Sequence, residues 1–215
     1  MKKTIVYIDG YNLYYGLLKG TQWKWLDLVK FSRSLLTEDQ EVVAVKYFTS
    51  RALTYPHDNA AIERQNVYLQ AILTLSGIKV VNGFFRKDTV LMPAYEDSCK
   101  NCNVPRKGLV RVVRLEEKRS DVNLAVEIML DAAQSNAECL AVVTGDADQV
   151  GTIDAARRRF GKTVLVFNPQ RTVSDHLRRV ASYYRNIPRD LPARCQLPDV
   201  VPLPNGHAVR RPAAW

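Results

Sequence analysis

Four aspartates stand in three segments that lie far apart in the chain. Asp9 and Asn12 share Ile8-Asp9-Gly10-Tyr11-Asn12, Asp121 follows Arg119-Ser120, and Asp146 and Asp148 share Thr144-Gly145-Asp146-Ala147-Asp148. Carboxylates gathered together repel, and their pKa values rise unless a cation neutralises them. A hard divalent cation with oxygen ligands does so, and Mg²⁺ and Mn²⁺ suit carboxylates and water. Such an ion orients a water, lowers its pKa and stabilises charge on a phosphoryl oxygen. Asn12 could offer a neutral amide to a phosphate or to a metal-bound water. Each residue also has a plain structural explanation. Asp9 could cap a helix, Asp121 could sit at a helix N-terminus where carboxylates are favoured, and Asp146 and Asp148 could form a turn.

Positioning three such segments requires particular elements. Residues 4–8 form a β-rich apolar run that Asp9 ends, which predicts a buried strand. Helices are predicted over 13–18, 25–36 and 58–75, with Ala61, Val67, Leu69, Ile72 and Leu73 as the buried stripe of the third and Gly77 as its stop. Strands are predicted over 42–49 and 78–85. Ser120 reads as the N-cap of a helix that buries Val122, Ala125, Val126, Met129, Leu130 and Ala133. A strand over 140–144, a helix over 148–160 stopped by Gly161, a last strand over 163–167 and a final helix over 173–184 complete the alternation. Strands alternating with helices predict an α/β domain with a mainly parallel sheet covered on both faces. Sites in such sheets form at the carboxyl ends of the strands, where Asp9, Asp146 and Asp148 fall.

Two segments break the pattern. Residues 86–115 contain Pro93, Pro105, a cysteine pair and many basic residues, and read as an insertion with a loose hairpin. From Pro188 onward the chain holds six of its ten prolines, at 188, 192, 198, 202, 204 and 212. Residues 188–215 are therefore expected to be an extended, partly disordered tail behind a domain of residues 1–187.

The 215-residue chain carries a net charge of +9, which admits a polyanionic partner. Lys118, Arg106, Lys107 and Arg157 are expected to hold a phosphate backbone, with Lys100, Arg111, Arg114 and Arg119 nearby, while Tyr11, Tyr14, Tyr15 and Trp23 could stack on bases. Cys99 and Cys102 have the spacing of half a zinc site. His57 or a second copy of the chain could complete a structural zinc, and a free thiol pair is the alternative. Cys139 precedes an apolar strand and is assigned to the core. The apolar run behind Met1-Lys2-Lys3 is too short for a signal peptide, and no run approaches a membrane span. A cytoplasmic protein with no membrane partner is expected.

Taken together the three acidic segments resemble a known family. Val6-Tyr7-Ile8-Asp9-Gly10-Tyr11-Asn12-Leu13 resembles the opening motif of NYN domains, the LabA-like branch of the PIN-like nuclease superfamily. Glu116-Glu117-Lys118-Arg119-Ser120-Asp121-Val122-Asn123-Leu124-Ala125 resembles the central motif, and Val143-Thr144-Gly145-Asp146-Ala147-Asp148 resembles the third. The motifs stand in the family's order within residues 3–185. The resemblance implies a PIN-like three-layer sandwich and metal-dependent hydrolysis of RNA phosphodiesters. It implies metal-site roles for Asp9, Asp121, Asp146 and Asp148 and a supporting role for Asn12. RNA is the implied partner and DNA the alternative, with a homodimer left open. After the third motif this chain reads Gln149-Val150-Gly151-Thr152-Ile153, where the family commonly has an aromatic or apolar residue and then a Pro-containing apolar stretch; this bears on substrate preference.

Two other readings compete. A phosphatase of the HAD type also pairs a first-strand Asp with a later Gly-Asp motif, but needs a second Asp where this chain has Tyr11. A nucleic-acid-binding or regulatory protein with little catalytic activity is the alternative outside the enzymes, and cleavage of labelled RNA and DNA with and without metal separates it from a nuclease.

Overall fold

The computed structural model describes residues 1–53, 58–94 and 108–215. Its centre is a six-stranded, all-parallel sheet in the order β3-β2-β1-β6-β7-β8. These strands are β1 (Lys2–Asp9), β2 (Gln40–Thr49), β3 (Ile78–Asn82), β6 (Cys139–Val143), β7 (Thr163–Asn168) and β8 (Tyr183–Asn186). The α/β three-layer sandwich expected from the sequence is the fold observed.

Alternation in the strands assigns side chains to the two faces. In β1, Val6 and Ile8 enter one core while Ile5 and Tyr7 enter the other. The same division separates Ala141 and Val143 from Leu140 and Val142, and Leu165 and Phe167 from Val164 and Val166. All of these side chains are buried, as near-continuous apolar strands of a covered parallel sheet must be.

The first face is covered by α1 (Gly10–Leu13), a π-helical turn at Tyr14–Leu18, α2 (Leu28–Leu35) and α3 (Asn59–Ile72). The second is covered by α4 (Ser120–Gln134), α5 (Val150–Phe160) and α6 (Asp175–Val180). Asp27 caps α2 by accepting from the backbone N–H groups of Val29 and Lys30, and Asp58 caps α3 by accepting from Ala61. Gly161 closes α5 in the left-handed conformation, as predicted.

Several expectations need correction. The α4 stripe that faces the sheet is Leu124, Ile128 and Ala132, whereas Val122, Val126 and Leu130 are exposed. Both sets have helical spacing, and periodicity alone does not say which set meets a sheet. In α3 the buried residues are Tyr68, Leu69, Ala71 and Ile72, and Leu73 is exposed. The strand expected over 78–85 breaks at Gly83. There a Cβ would lie 2.4 Å from Glu117 Oε1 and 2.5 Å from both Ser50 Oγ and the Lys118 carbonyl. Phe84 and Phe85 then open β4 (Phe84–Pro93), which pairs antiparallel with β5 (Leu109–Lys118) over ten residues. The hairpin foreseen in the insertion is thus regular in its two arms. The helix expected over 173–184 is shorter: α6 ends at Val180 and Tyr183–Asn186 forms the edge strand β8.

The tail departs most from expectation. Residues 188–215 hold α7 (Leu191–Arg194) and a small hairpin of β9 (Val200–Pro202) and β10 (Ala208–Arg210). Cys195, Leu197, Val201 and Val209 are buried in the first core. Trp25 explains much of this docking: its indole N–H donates to the Pro198 carbonyl at 2.8 Å, its own carbonyl accepts from Leu197, and its ring meets Trp215. The prolines mark an irregular backbone, but apolar residues between them reach the core. Among the described residues, no helix is long and apolar enough to cross a membrane.

Candidate active site

The strand order reverses between β1 and β6, because β2 and β3 extend to one side of β1 and β7 and β8 extend beyond β6 on the other. Ligand sites in open parallel sheets form at the carboxyl ends of strands at such a switch point. Asp9 is the last residue of β1, and Thr144 follows β6, with Ile8 paired to Val143.

Asp9 is only 3% exposed, so its charge needs partners. Oδ1 accepts from the Asn12 backbone N–H at 3.0 Å; Oδ2 accepts from Asn12 Nδ2 at 2.7 Å and from Thr144 Oγ1 at 3.0 Å. Burial raises its pKa, the bonds from Asn12 and Thr144 lower it, and the Asp146 charge raises it; the net direction is upward. Asp9 does cap α1, so the structural explanation holds, and it holds together with a place in the site.

Asn12 Oδ1 accepts from Gly145 N at 3.1 Å and from Gln170 Nε2 at 3.2 Å. Its amide is engaged by protein at both ends, which makes Asn12 a positioning residue that ties α1 to the turn after β6. The turn leaves no room at Gly145, where a Cβ would lie 2.5 Å from Asn168 Oδ1 and 2.7 Å from Gln170 Cγ. Thr144 is fully buried and accepts from Asp146 N at 3.1 Å. Asp146 Oδ1 in turn accepts from Asp148 N at 3.0 Å, which starts a 3-10 turn over Ala147–Gln149. Asp148 is exposed and Asp146 half-buried.

Asp121 lies in the first turn of α4. Its pKa is pushed up from 3.8 to about 6 by burial first, and then by the charges of Asp9, Asp146, Glu117 and Asp148. The fold therefore brings all four predicted carboxylates into one electrostatic neighbourhood. The favourable helix-dipole effect expected for Asp121 is outweighed by burial and by the neighbouring charges. The predicted cap is also different: Arg119, at φ 79°, occupies the N-cap position, and the Ser120 hydroxyl donates to Glu117 Oε1 at 2.6 Å.

Glu117 is a fifth carboxylate that the sequence reading left unassigned. Its Oε1 also accepts from Ser50 Oγ at 2.6 Å. Strand alternation was the available signal: Glu116 pairs with Arg114 and Lys118, while Glu117 between them points to the opposite side. Gln149 was missed as well. It is 2% exposed, its Nε2 donates to the Asp121 carbonyl at 3.3 Å, and its Oε1 has no hydrogen-bond partner.

The donor set can be tested against a divalent cation. Among the described residues, no group of three or more His, Cys, Asp or Glu side chains stands arranged to hold a metal ion. A closed protein cage is therefore not built here. Mg²⁺ uses a different kind of site, keeping several waters and taking one or two carboxylates together with substrate phosphates. The crowding of carboxylate charge around Asp121 and an orphaned buried acceptor at Gln149 fit that open kind of site.

The expected substrate-binding residues separate. Lys118 pairs at 3.0 Å with Glu116, on the side of β5 away from Glu117. Arg157 is half-buried and donates to the Val180 and Ala181 carbonyls at 2.9 and 3.2 Å, so it braces the end of α6 and is withdrawn from substrate contact. Arg106, Lys107, Lys100, His57 and the cysteines 99 and 102 lie outside the described residues. Cys139 is buried with a free thiol, as assigned to the core.

The family model for the NYN domain matches residues 3–188. The chain belongs to the NYN domain family. That family is nuclease-like, and its matched span carries every carboxylate described above. The NYN chain is also similar to 6-hydroxy-3-succinoylpyridine 3-monooxygenase HspA of Pseudomonas putida, 29% identical over 99% of this chain and 75% of that one. A crystal structure of a protein of unknown function from Vibrio parahaemolyticus superposes with a TM-score of 0.52 at 19% identity, covering 88% of this chain and 94% of that one. This last likeness concerns the fold.

Proposed function

We propose that this NYN protein is a Mg²⁺- or Mn²⁺-dependent endoribonuclease of the cytoplasm, with RNA as substrate and DNA as the alternative. The observation that carries the reading is the gathering of Asp9, Asp146, Glu117 and Asp148 around Asp121, whose carboxyl is held above the usual range by burial first and then by their charges. Charges so crowded are relieved by a cation. Asp9, Asp121, Asp146 and Asp148 are the residues that would hold it. When bound, such an ion supplies Lewis acidity at a phosphoryl oxygen and a water of lowered pKa. The chain's own residues supply the rest. Asn12 and Thr144 hold the Asp9 carboxylate in one orientation. Gln149 donates from Nε2 to the Asp121 carbonyl and so braces the start of α4. A structural zinc on Cys99 and Cys102 belongs to this proposal only as an accessory.

Cleavage of end-labelled RNA and DNA of one sequence tests the reading. Products should appear with Mg²⁺ or Mn²⁺, vanish with EDTA and favour RNA. Strand cleavage unaffected by EDTA would remove the metal, and tight RNA binding without cleavage would favour the regulatory alternative.

A second reading rests on the similarity to the monooxygenase of Pseudomonas putida. It predicts O₂ uptake dependent on an electron donor and a hydroxylatable aromatic acid, which a nuclease does not show.

A further inference from the structure

A cavity of about 460 Å³ opens next to the acidic site, behind α1. Its walls include the rings of Tyr11, Tyr14, Tyr47, Tyr68, Phe85 and Trp215. Tyr11 and Tyr47 both lie within electrostatic reach of the Asp9 carboxylate, which contributes to the rise in each phenol's pKa. Tyr11 meets Phe85 edge to face at 6.0 Å between ring centres, and Tyr68 meets Trp215 at 5.8 Å. Gly10 makes this wall: a Cβ there would stand 3.0 Å from the Tyr47 ring and 2.5 Å from the Phe48 carbonyl. Such a volume lies at the lower end of small-ligand sites.

The charges in the wall say what kind of ligand it takes. Lys24 and Arg64 line the cavity and both are half-buried. Among the described residues Lys24 has no ion pair, and the Arg64 guanidinium reaches Asp58 only at 3.9 Å. A cation partly removed from water is costly unless an anion joins it. The polar groups of Gln65 and Tyr68 are already engaged, Gln65 with Ala52 and Ser50, and Tyr68 with the Leu26 carbonyl. Rings for stacking, phenol hydroxyls and two cations are therefore what the cavity presents to a ligand. Ala214 and Trp215 close one side and lie beyond the residues matched by the family model, so this wall belongs to the chain's own tail.

We propose that the cavity binds one planar aromatic ring carrying an anionic group, the ring between the tyrosines and Trp215 and the anion at Lys24 and Arg64. A nucleoside monophosphate unit and a free aromatic carboxylate share this chemistry. Stacking on aromatic walls accepts any base or heterocycle, because each has a π-face. Binding does not depend on the carboxylates cutting RNA and can be measured in EDTA.

Calorimetric titration of the full chain tests the proposal with AMP, UMP, benzoate, adenosine and ribose 5-phosphate. AMP, UMP or benzoate should bind one to one, at least tenfold more tightly than adenosine or ribose 5-phosphate. Competition by a short oligoribonucleotide would assign the ring to a strand, and its failure would assign the site to free aromatic anions. Lys24→Gln and Arg64→Gln should each weaken binding several-fold and together at least tenfold. Tyr14→Leu, at a residue 38% exposed and so safe for folding, should weaken the aromatic anions and leave ribose 5-phosphate unchanged. Absence of binding at millimolar concentration, equal binding of adenosine and AMP, or unchanged affinity in the Lys24 variant would overturn it.

Discussion

Asp9 and Asp121 are both carboxylates with raised pKa values, yet the fold treats them oppositely. Asp9 is buried at the end of a central strand, and three hydrogen bonds from Asn12 and Thr144 fix both of its oxygens. Asp121 keeps contact with solvent at the start of a helix although its carboxyl is partly desolvated, and its surroundings supply other carboxylates before they supply donors. The strand half of the site is thus organised before any ligand arrives, whereas the helix half carries repulsion that a ligand can relieve. The difference teaches which residues hold geometry and which, under the proposed function, would supply the drive to bind a cation.

The largest expected effect breaks the two halves apart. Asp146→Asn should reduce single-turnover RNA cleavage by several orders of magnitude with little loss of stability, because Asn keeps an acceptor for the Asp148 N–H. Asp9→Asn should lose cleavage equally and also cost about 1–3 kcal/mol, since an amide turned towards Asn12 and Thr144 leaves a buried donor unsatisfied. The double variant should cleave little worse than either single one, because residues acting as a unit are not additive. Urea melts beside the kinetics distinguish the two.

Gly145→Ala comes next. A methyl 2.5 Å from Asn168 Oδ1 must displace Asn168, Gln170 or the turn itself. Overpacking of this kind costs about 1–3 kcal/mol, and here it also disturbs the Gly145–Asn12 bond. A chemical-denaturation midpoint equal to that of the unaltered protein would show that the strand half is softer than described.

Asp121→Asn gives a smaller effect of the opposite sign. The carboxyl binds its proton more tightly in the folded chain than in the unfolded one, since its pKa rises from 3.8 to about 6. Without metal, folded stability therefore falls as pH climbs through that window and stays lowered above it. The Asn variant lacks this loss. Above about pH 6 in EDTA its unfolding midpoint should exceed that of the unaltered protein by on the order of a degree or two, and below pH 3.8 this difference should vanish. Adding Mg²⁺ should reverse the order at neutral pH, because a ligand that binds the folded state stabilises it.

Much of this organisation was legible in the sequence. The β1, β6 and β7 runs could be read directly, because strands covered on both faces are apolar throughout. Asp9, Asp146 and Asp148 were legible for the same reason, since they directly follow such runs. What escaped depends on contacts between distant segments. Leu124, Ile128 and Ala132 have the same spacing as the exposed Val122, Val126 and Leu130, and only the sheet chooses between them. The tail was misjudged because proline content says how a backbone runs and not what its apolar side chains meet. Glu117 and Gln149 act through Ser120 and the Asp121 backbone, partners that no local pattern announces.

The smallest expected effect concerns the hinge between β5 and α4. Arg119 adopts φ 79° and places its guanidinium 4.7 Å from the centre of the Phe84 ring. Arg119→Gly should relieve about 1 kcal/mol of backbone cost and lose about 0.5–1 kcal/mol of cation–π attraction. A stability change close to zero is predicted by thermal melting, and a large loss would mean that Arg119 holds α4 by contacts beyond that ring.

The central claim, that crowded carboxylates recruit a divalent cation for strand cleavage, is tested most directly by one titration. Single-turnover cleavage of a labelled RNA is followed against Mg²⁺ concentration for the unaltered protein and for Asp146→Asn at one pH and ionic strength. The account predicts a saturable, EDTA-reversible rise for the first and, for the second, a rate lower by several orders of magnitude that higher Mg²⁺ only partly restores. Equal rates in both proteins, or cleavage indifferent to Mg²⁺, would contradict it.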